Sequence, residues 1–364
     1  MTARVQSVGV PRETKSGEHR VALTPDGVHE LVGNGLRVLV ERDAGADSSI
    51  RDADYVAAGA EVVATAADAW SAELVVKVKE PQAAEFSYLR PDLTVFTYLH
   101  LAAYPAVADA LVASGTTAVA YETVEDAAGT LPLLAPMSEV AGRLAPQIGA
   151  RFLERQQGGR GVLMGGAPGV RPARVVVIGA GSVGWNAAWI AQGMEAEVLL
   201  LDRNLERLRW VDQIHRGRIM TLASTRLAVE RAVADADLVV TAVLVPGGRA
   251  PVVVTDAMLA GMRPGSVVVD VAIDQGGAVE GIRETSHADP VDRRHGVLCY
   301  AVGNIPAAVP HTSTYALTNA TLPYVVALAT LGVDGAVAAD PGLAAGINVR
   351  GGEIVNPAVA AAIG

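Results

Sequence analysis

Gly179, Gly181 and Gly184 form a Gly-x-Gly-x-x-Gly run directly after the apolar stretch 175–178. That spacing has chemical meaning when it joins a strand to a helix. The first glycine permits the tight turn, the second lets the backbone approach a pyrophosphate, and the third lets the helix pack close to the strand. The helix start then offers N–H groups and the positive end of its dipole to phosphates. Here the run opens the helix-like VGWNAAWIAQGM, and a second strand-like run follows, ending in Asp202 about 20 residues on. Asp202 is placed to accept hydrogen bonds from ribose hydroxyls and to repel a 2′-phosphate, which favours NAD over NADP. Neighbouring Arg203 works the other way, because an arginine there can pair with a phosphate.

A dinucleotide loop does not specify a reaction. Parallel sheets place their chemistry at the C-terminal ends of strands, and four residues meet that description or lie near it. Asp274 ends SVVVDVAID, Lys79 follows LVVKV, His100 follows TVFTYL, and Arg20 lies in the segment after the first strand. Together they make two cations for a carboxylate and a His and an Asp for acid–base work. Each also has a purely structural reading: Lys79 as a solvated charge, His100 as a hydrogen-bonded histidine, Arg20 as a surface partner of Glu13 or Glu18, Asp274 as a turn cap. Other chemistries find no support. The seven histidines are scattered without metal-ligand spacing, so no metal is expected. No Gly-x-Ser-x-Gly elbow occurs. Cys299, the one cysteine, lies in the apolar GVLCYAVG and reads as a buried hydrophobe.

The surrounding elements alternate. In the first third, residues 4–10, 37–41, 74–78, 94–99 and 116–123 read as short strands. Between them, TPDGVHELVGNG reads as a helix with Thr24 as N-cap and Pro25 in its first turn, and LAAYPAVADALVASG as a helix whose start Pro105 restricts. Residues 138–156 form a helical connector with Pro146 as a possible bend, and the glycine-rich 158–170 reads as a surface loop or lid. From residue 173 to about 277 the alternation is stronger: VVVIG, EVLLLD, LVVTAVLV and SVVVDVAID are nearly unbroken apolar runs, as in strands buried on both faces. The tail from residue 313 is a helix with an internal proline. Strand–helix alternation implies an α/β fold of parallel βαβ units. Aromatic residues are only 4%, so Ala, Val, Leu and Ile must fill the core. A net charge of −10 argues against a nucleic-acid partner. A lone cysteine suits a reducing compartment. The opening residues lack the apolar core of a signal peptide, and no run approaches the roughly 18 apolar residues of a membrane span. A soluble, cytoplasmic protein is expected.

Many of these segments resemble one family in its own order. VPRETKSGEHRVALTP, VVKVKEP, FTYLHLA, YETV, LPLLAPMSEVAGR, GGRGVLMGG, VVVIGAGSVG, AVLVPG, VVVDVAIDQGG and TSTYALTNAT are similar to the L-alanine dehydrogenases nearly end to end. The resemblance implies two Rossmann-like domains with parallel sheets, the nucleotide domain (133–310) inserted into a discontinuous catalytic domain (1–132 and 311–364). It implies reversible NAD-dependent deamination of L-alanine to pyruvate and ammonia, by a homo-hexamer. By resemblance, Arg20 and Lys79 hold the substrate oxygens, and His100 and Asp274 are catalytic, with either as the activator of water. The implied cofactor contacts, besides the glycines and Asp202, are Ser138, Ser182, Arg207, Ser224, Val243, Leu244, Val271, Ala272, Ile273, Asp274, Arg283, Val302, Gly303, Asn304 and Ile305. Two residues depart from the pattern: Glu195 stands where glycine is expected, and Ile305 where methionine is common. The competing expectations are the soluble NAD-binding subunit of a proton-translocating transhydrogenase, and a non-catalytic NAD(H) sensor.

Overall fold

The computed structural model describes residues 4–243 and 249–363. The chain falls into two compact units, Met1–Met137 with Val309–Gly364, and Ser138–Ala308. Strands β1 (Ser7–Val10), β2 (Arg37–Glu41), β3 (Glu61–Val63), β4 (Leu74–Val76), β5 (Thr94–Thr97) and β6 (Thr117–Ala120) precede the second unit. That unit holds β7 (Arg174–Ile178), β8 (Glu197–Asp202), β9 (Met220–Ala223), β10 (Leu238–Thr241), β11 (Val267–Asp270), β12 (Val291–Arg294) and β13 (Val297–Tyr300). Near the C-terminus, β14 (Ile347–Arg350) and β15 (Glu353–Ile354) return to the first unit.

In the first unit the strand order is β15-β14-β6-β5-β4-β1-β2-β3, and β1 to β6 pair in parallel. In the second it is β12-β13-β11-β10-β7-β8-β9, parallel from β13 to β9. Each sheet therefore has the βαβ build that the alternation predicts. Each also ends in one antiparallel hairpin, β14–β15 and β12–β13. A hairpin needs no crossover helix, only two residues that accept positive φ. His295–Gly296 (φ 50° and 81°) and Gly351–Gly352 (φ 62° and 81°) supply them.

The parallel strands stop earlier than their apolar runs. β4 ends at Val76, β5 at Thr97 and β11 at Asp270, so Lys79, His100 and Asp274 sit on the loops beyond the ladders rather than on the last strand residues. Asp274 lies in a 3₁₀ turn, Ile273–Gln275. β3 has no signature in the sequence because it is short and half-exposed.

Helix starts follow local chemistry. Thr24 Oγ1 accepts from the Gly27 N–H (3.4 Å) at the head of Pro25–Gly33. Pro105 occupies the first position of Pro105–Ser114, where its missing N–H costs nothing. The connector is the helix Ala135–Leu153, with Pro146 inside it. Residues 158–170 form a surface loop, with Leu163 and Val170 largely exposed, tethered by an Arg160–Asp237 ion pair. Pro310–Ala339 is long and apolar enough to cross a membrane by length and composition alone, with mean hydropathy 1.6 over its most apolar window. Its backbone is broken at Gly332 (φ 67°, ψ 173°). It buries Ser313, Thr314, Thr318 and Thr321 within its own unit, where Thr314 Oγ1 accepts from the Val21 N–H (3.1 Å) and meets Ser48 Oγ (2.8 Å).

The cores are aliphatic, as the composition requires. Val75, Leu93, Val95, Leu99 and Leu111 pack around Trp70 in the first unit; Val176, Ile178, Leu201, Val239 and Val268 pack with Cys299 in the second. Burial pushes the Cys299 thiol up to about 12, so it is an inert core residue.

Candidate active site

The first unit gathers Arg20, Lys79 and His100 around Tyr98. The Tyr98 and His100 rings stack in parallel with centroids 5.6 Å apart, and Lys79 Nζ stands 5.9 Å from the Tyr98 centroid. Tyr98 is itself fixed by donating to the Leu133 carbonyl (2.6 Å). His100 holds a left-handed backbone (φ 47°), unusual for a non-glycine residue. The Glu122 carboxylate stabilises that turn. It accepts the N–H groups of Leu99 (3.2 Å) and His100 (2.6 Å), and stands 3.8 Å from His100 Nδ1.

The electrostatics of this cluster are set by packing as much as by charge. Burial first, then the positive charges of Lys79, Lys15 and Arg20, push the His100 imidazole down to about 3. That shift favours the neutral ring at physiological pH. Arg20 is not the surface partner of Glu13 or Glu18 that one structural reading expects. It is buried, and Glu18 grips it at both ends, Nε to Oε1 at 2.7 Å and Nη2 to Oε2 at 2.5 Å. Nη1 lies 2.9 Å from Met137 Sδ. This fork-to-fork pair fixes the guanidinium plane.

Two further cations escaped the sequence reading. Lys77 is fully buried between Glu13 (3.2 Å) and Glu85 (3.0 Å). Burial alone would lower its pKa, yet the two carboxylates hold it above the usual lysine value. Glu13 also accepts the Val78 N–H (2.6 Å), which fixes the chain leading to Lys79. Lys15 reaches Glu80 (2.6 Å) and the Tyr104 hydroxyl (3.0 Å). The available signal was a lysine interrupting an otherwise apolar run, LVVKV. A cleft lined by Arg12, Glu13, His19, Arg20, Asp43 and Asp47 lies on the Arg20 side, without Lys79 or His100. With Glu18 also on its wall, its carboxylates outnumber its arginines, so it does not select anions.

The second unit holds the glycine turn as expected. Gly179 has φ 106°, and a Cβ there would lie 2.4 Å from the Ala242 carbonyl oxygen, beside Val243. A Cβ on Gly184 would lie 1.7 Å from the Gly179 oxygen. Gly181 is different: a Cβ there meets only Arg207 Nη1 at 3.9 Å, so the space above it is open. No side chain caps the helix Ser182–Gly193 that follows. Open space above uncapped N–H groups fits a bound pyrophosphate.

Asp202, at the end of β8, accepts from the Ala180 N–H (2.5 Å) and the Asn204 N–H (2.7 Å). Its carbonyl accepts the Ser224 N–H (2.9 Å), and exposed Arg207 lies 4.0 Å from its carboxylate. Glycines, Ser182, Asp202, Arg207, Ser224 and Val243 are thus one cluster. Ser138 is half-buried on the helix Ala135–Leu153, which presses its Gly142 onto the glycine-turn helix, where a Cβ would come within 2.3 Å of the Val183 oxygen. Glu195 has φ 63°, which explains a glycine preference at that position.

The loop Val271, Ala272, Ile273, Asp274 joins the segment Val302, Gly303, Asn304, Ile305 through the Asn304 N–H, which donates to Asp274 Oδ1 (3.1 Å). Asp274 is exposed; Val302 and Ile305 are buried. Arg283 is exposed, next to Glu284, whose Oε1 lies 2.1 Å from where a Cβ on Gly303 would stand. Leu244 lies outside the described residues. Among the described residues no cluster of His, Cys, Asp and Glu could hold a metal.

Two family signatures cover almost the whole chain: Alanine dehydrogenase/PNT, N-terminal domain, over residues 9–141, and Alanine dehydrogenase/PNT, C-terminal domain, over residues 145–357. The alanine dehydrogenase of Mycobacterium tuberculosis is 56% identical over 358 residues, covering 98% of this chain and 96% of that protein. That of Bacillus subtilis is 52% identical over 358 residues, covering 98% and 94%. A solved L-alanine dehydrogenase superposes with a TM-score of 0.95 at 52% identity, covering 98% of both chains. A transhydrogenase from Sinorhizobium meliloti superposes with a TM-score of 0.83 at 28% identity, covering 97% of this chain and 99% of that one. With matches to both family domains and this likeness along its whole length, the chain belongs to the alanine dehydrogenase/PNT family.

Proposed function

We propose that this enzyme is an NAD-dependent alanine dehydrogenase, converting L-alanine reversibly to pyruvate and ammonia. The observation that carries the reading is geometric: Tyr98 stacks on His100 and lies under Lys79, with Arg20 held by Glu18 in the same unit. Such a cluster binds a small carboxylate and leaves a base beside it. The more distant likeness to a transhydrogenase supplies no substrate for that cluster. In this reading the first unit is the substrate domain and the second the nucleotide domain, and the assembly is a cytoplasmic homo-hexamer, as the resemblance implies.

When bound, the nicotinamide supplies a hydride acceptor. The chain's own residues do the rest. Arg20, held flat by Glu18, and Lys79 bind the substrate oxygens and orient Cα, an effect worth several kcal/mol in the right geometry. His100 accepts a proton through its neutral ring, and Asp274 serves as the second acid–base group when water adds to the imine and ammonia departs. The Asp202 carboxylate, fixed by two N–H donors, accepts ribose hydroxyls and repels a 2′-phosphate, so NAD is the cofactor.

The test is the initial rate of NADH formation by purified protein with NAD⁺ and L-alanine, with D-alanine, L-serine and NADP⁺ as controls. The reading expects saturable turnover with L-alanine and NAD⁺. A flat trace from protein that binds NADH would overturn it in favour of the transhydrogenase-subunit or sensor role.

A further inference from the structure

Asp270 is the last residue of β11 and is fully buried, yet no Lys, Arg or His among the described residues forms an ion pair with it. Its two oxygens are instead filled by four donors. Oδ1 accepts from Thr241 Oγ1 (2.8 Å) and the Ala272 N–H (3.0 Å); Oδ2 accepts from the N–H groups of Ala278 (2.8 Å) and Val279 (3.2 Å). Burial raises its pKa, and those four bonds pull against that rise. A proton on either oxygen would have to displace a donor, so the arrangement is built for the ionised form.

Three of the four donors come from the two ends of one loop. Ala272 lies where the chain leaves the sheet, and Ala278 and Val279 where it returns. Between them the loop closes on itself, with the Gly277 N–H on the Ala272 carbonyl (3.1 Å) and left-handed Gly276 and Gly277. Asp274 stands at its apex. A Cβ on Gly277 would come 3.0 Å from Asp270 Oδ2, so the loop is drawn tightly onto the carboxylate.

We infer that Asp270 is a positioning residue for the reaction: its ionised carboxylate clamps both ends of the 271–279 loop and so fixes Asp274 without touching substrate. Thr241, the residue paired with Asp270 in the neighbouring strand, orients the clamp. The inference rests on the dehydrogenase reading only for the role given to Asp274; the clamp itself is tested without substrate.

The experiment compares wild type, Asp270→Asn, Thr241→Val, Asp274→Asn and the doubles with Asp274→Asn, by turnover and by hydrogen exchange of the 271–279 amides in free protein. An asparagine amide turns an NH₂ toward two of the four donors. We expect faster exchange across the loop and a fall in kcat of about 10²-fold, the scale of a small misplacement of a reacting group. KM for L-alanine should move little. Asp270→Asn should add nothing to Asp274→Asn, because it acts through that residue. Should Asp270→Asn fail to fold, Thr241→Val carries the test, with a smaller loss of kcat and the same lack of additivity. Unchanged exchange in both single variants removes the clamp. Multiplying losses in the doubles, or wild-type kcat with a loosened loop, would overturn the positioning role.

Discussion

The two units solve the same problem with opposite materials. Around Tyr98 the first unit uses paired side chains: Arg20 with Glu18, Lys77 with Glu13 and Glu85, Lys15 with Glu80. Around the glycine turn the second unit uses backbone: glycines without room for a Cβ, an uncapped helix start, and carboxylates, Asp202 and Asp270, that accept main-chain N–H groups. On the function proposed above, the difference follows from what each unit would hold. A pyrophosphate is met by many N–H dipoles at fixed spacing. A small carboxylate in a partly dry cluster needs full charges, and buried full charges need partners.

The contrast can be broken at its costliest point first. Lys77→Ala leaves Glu13 and Glu85 buried without their cation, and should destabilise the first unit by about 3–5 kcal/mol. Urea unfolding read separately for each unit would show it; an unchanged midpoint would mean that the buried triad contributes nothing. In the second unit the equivalent blow is steric. Gly184→Ala sets a Cβ against the Gly179 oxygen and should cost about 1–3 kcal/mol, taken from NADH affinity as the turn shifts. Fluorescence titration with NADH measures it, and wild-type affinity would refute the close-approach account.

Smaller effects sharpen the picture. Lys79→Gln removes one of the cations that hold His100 neutral, so the imidazole pKa should rise toward its ordinary value. Histidine NMR resolves that shift, and an unmoved resonance would mean that Lys79 has no part in it. The last effect concerns stability and pH. His100 has a folded pKa of about 3 against an ordinary 6.5. Its contribution to stability is therefore complete above 6.5 and is lost as pH falls from there toward 3. His100→Asn, which tolerates the left-handed backbone, should flatten the stability curve in that window. Parallel curves for variant and wild type would contradict the assignment.

How much of this was legible in the sequence follows the same division. The backbone half-site was legible because its cause is local: a glycine spacing, a strand before it, a helix after it, and Asp202 on the next strand. The hairpin edges and β3 were not, since they depend on two-residue turns and on three half-exposed residues. Arg20, Lys79 and His100 were visible as candidates at or after strand ends, but what holds them was not. Glu122 reaches back to the His100 turn, and Glu13 reaches across to Val78, through contacts between residues far apart in the chain. Asp270 was hidden by an apolar run that looks like continuous strand. An acid in that run was the available signal.

The most direct test of the account is a paired measurement on Lys79→Ala: NADH affinity by fluorescence, and turnover of L-alanine with NAD⁺. If charged side chains of the first unit serve the substrate and backbone of the second serves the nucleotide, affinity should stay within about twofold while turnover falls by about 10² or more. A variant that loses NADH affinity in step with turnover, or that keeps its turnover, would contradict the division of labour.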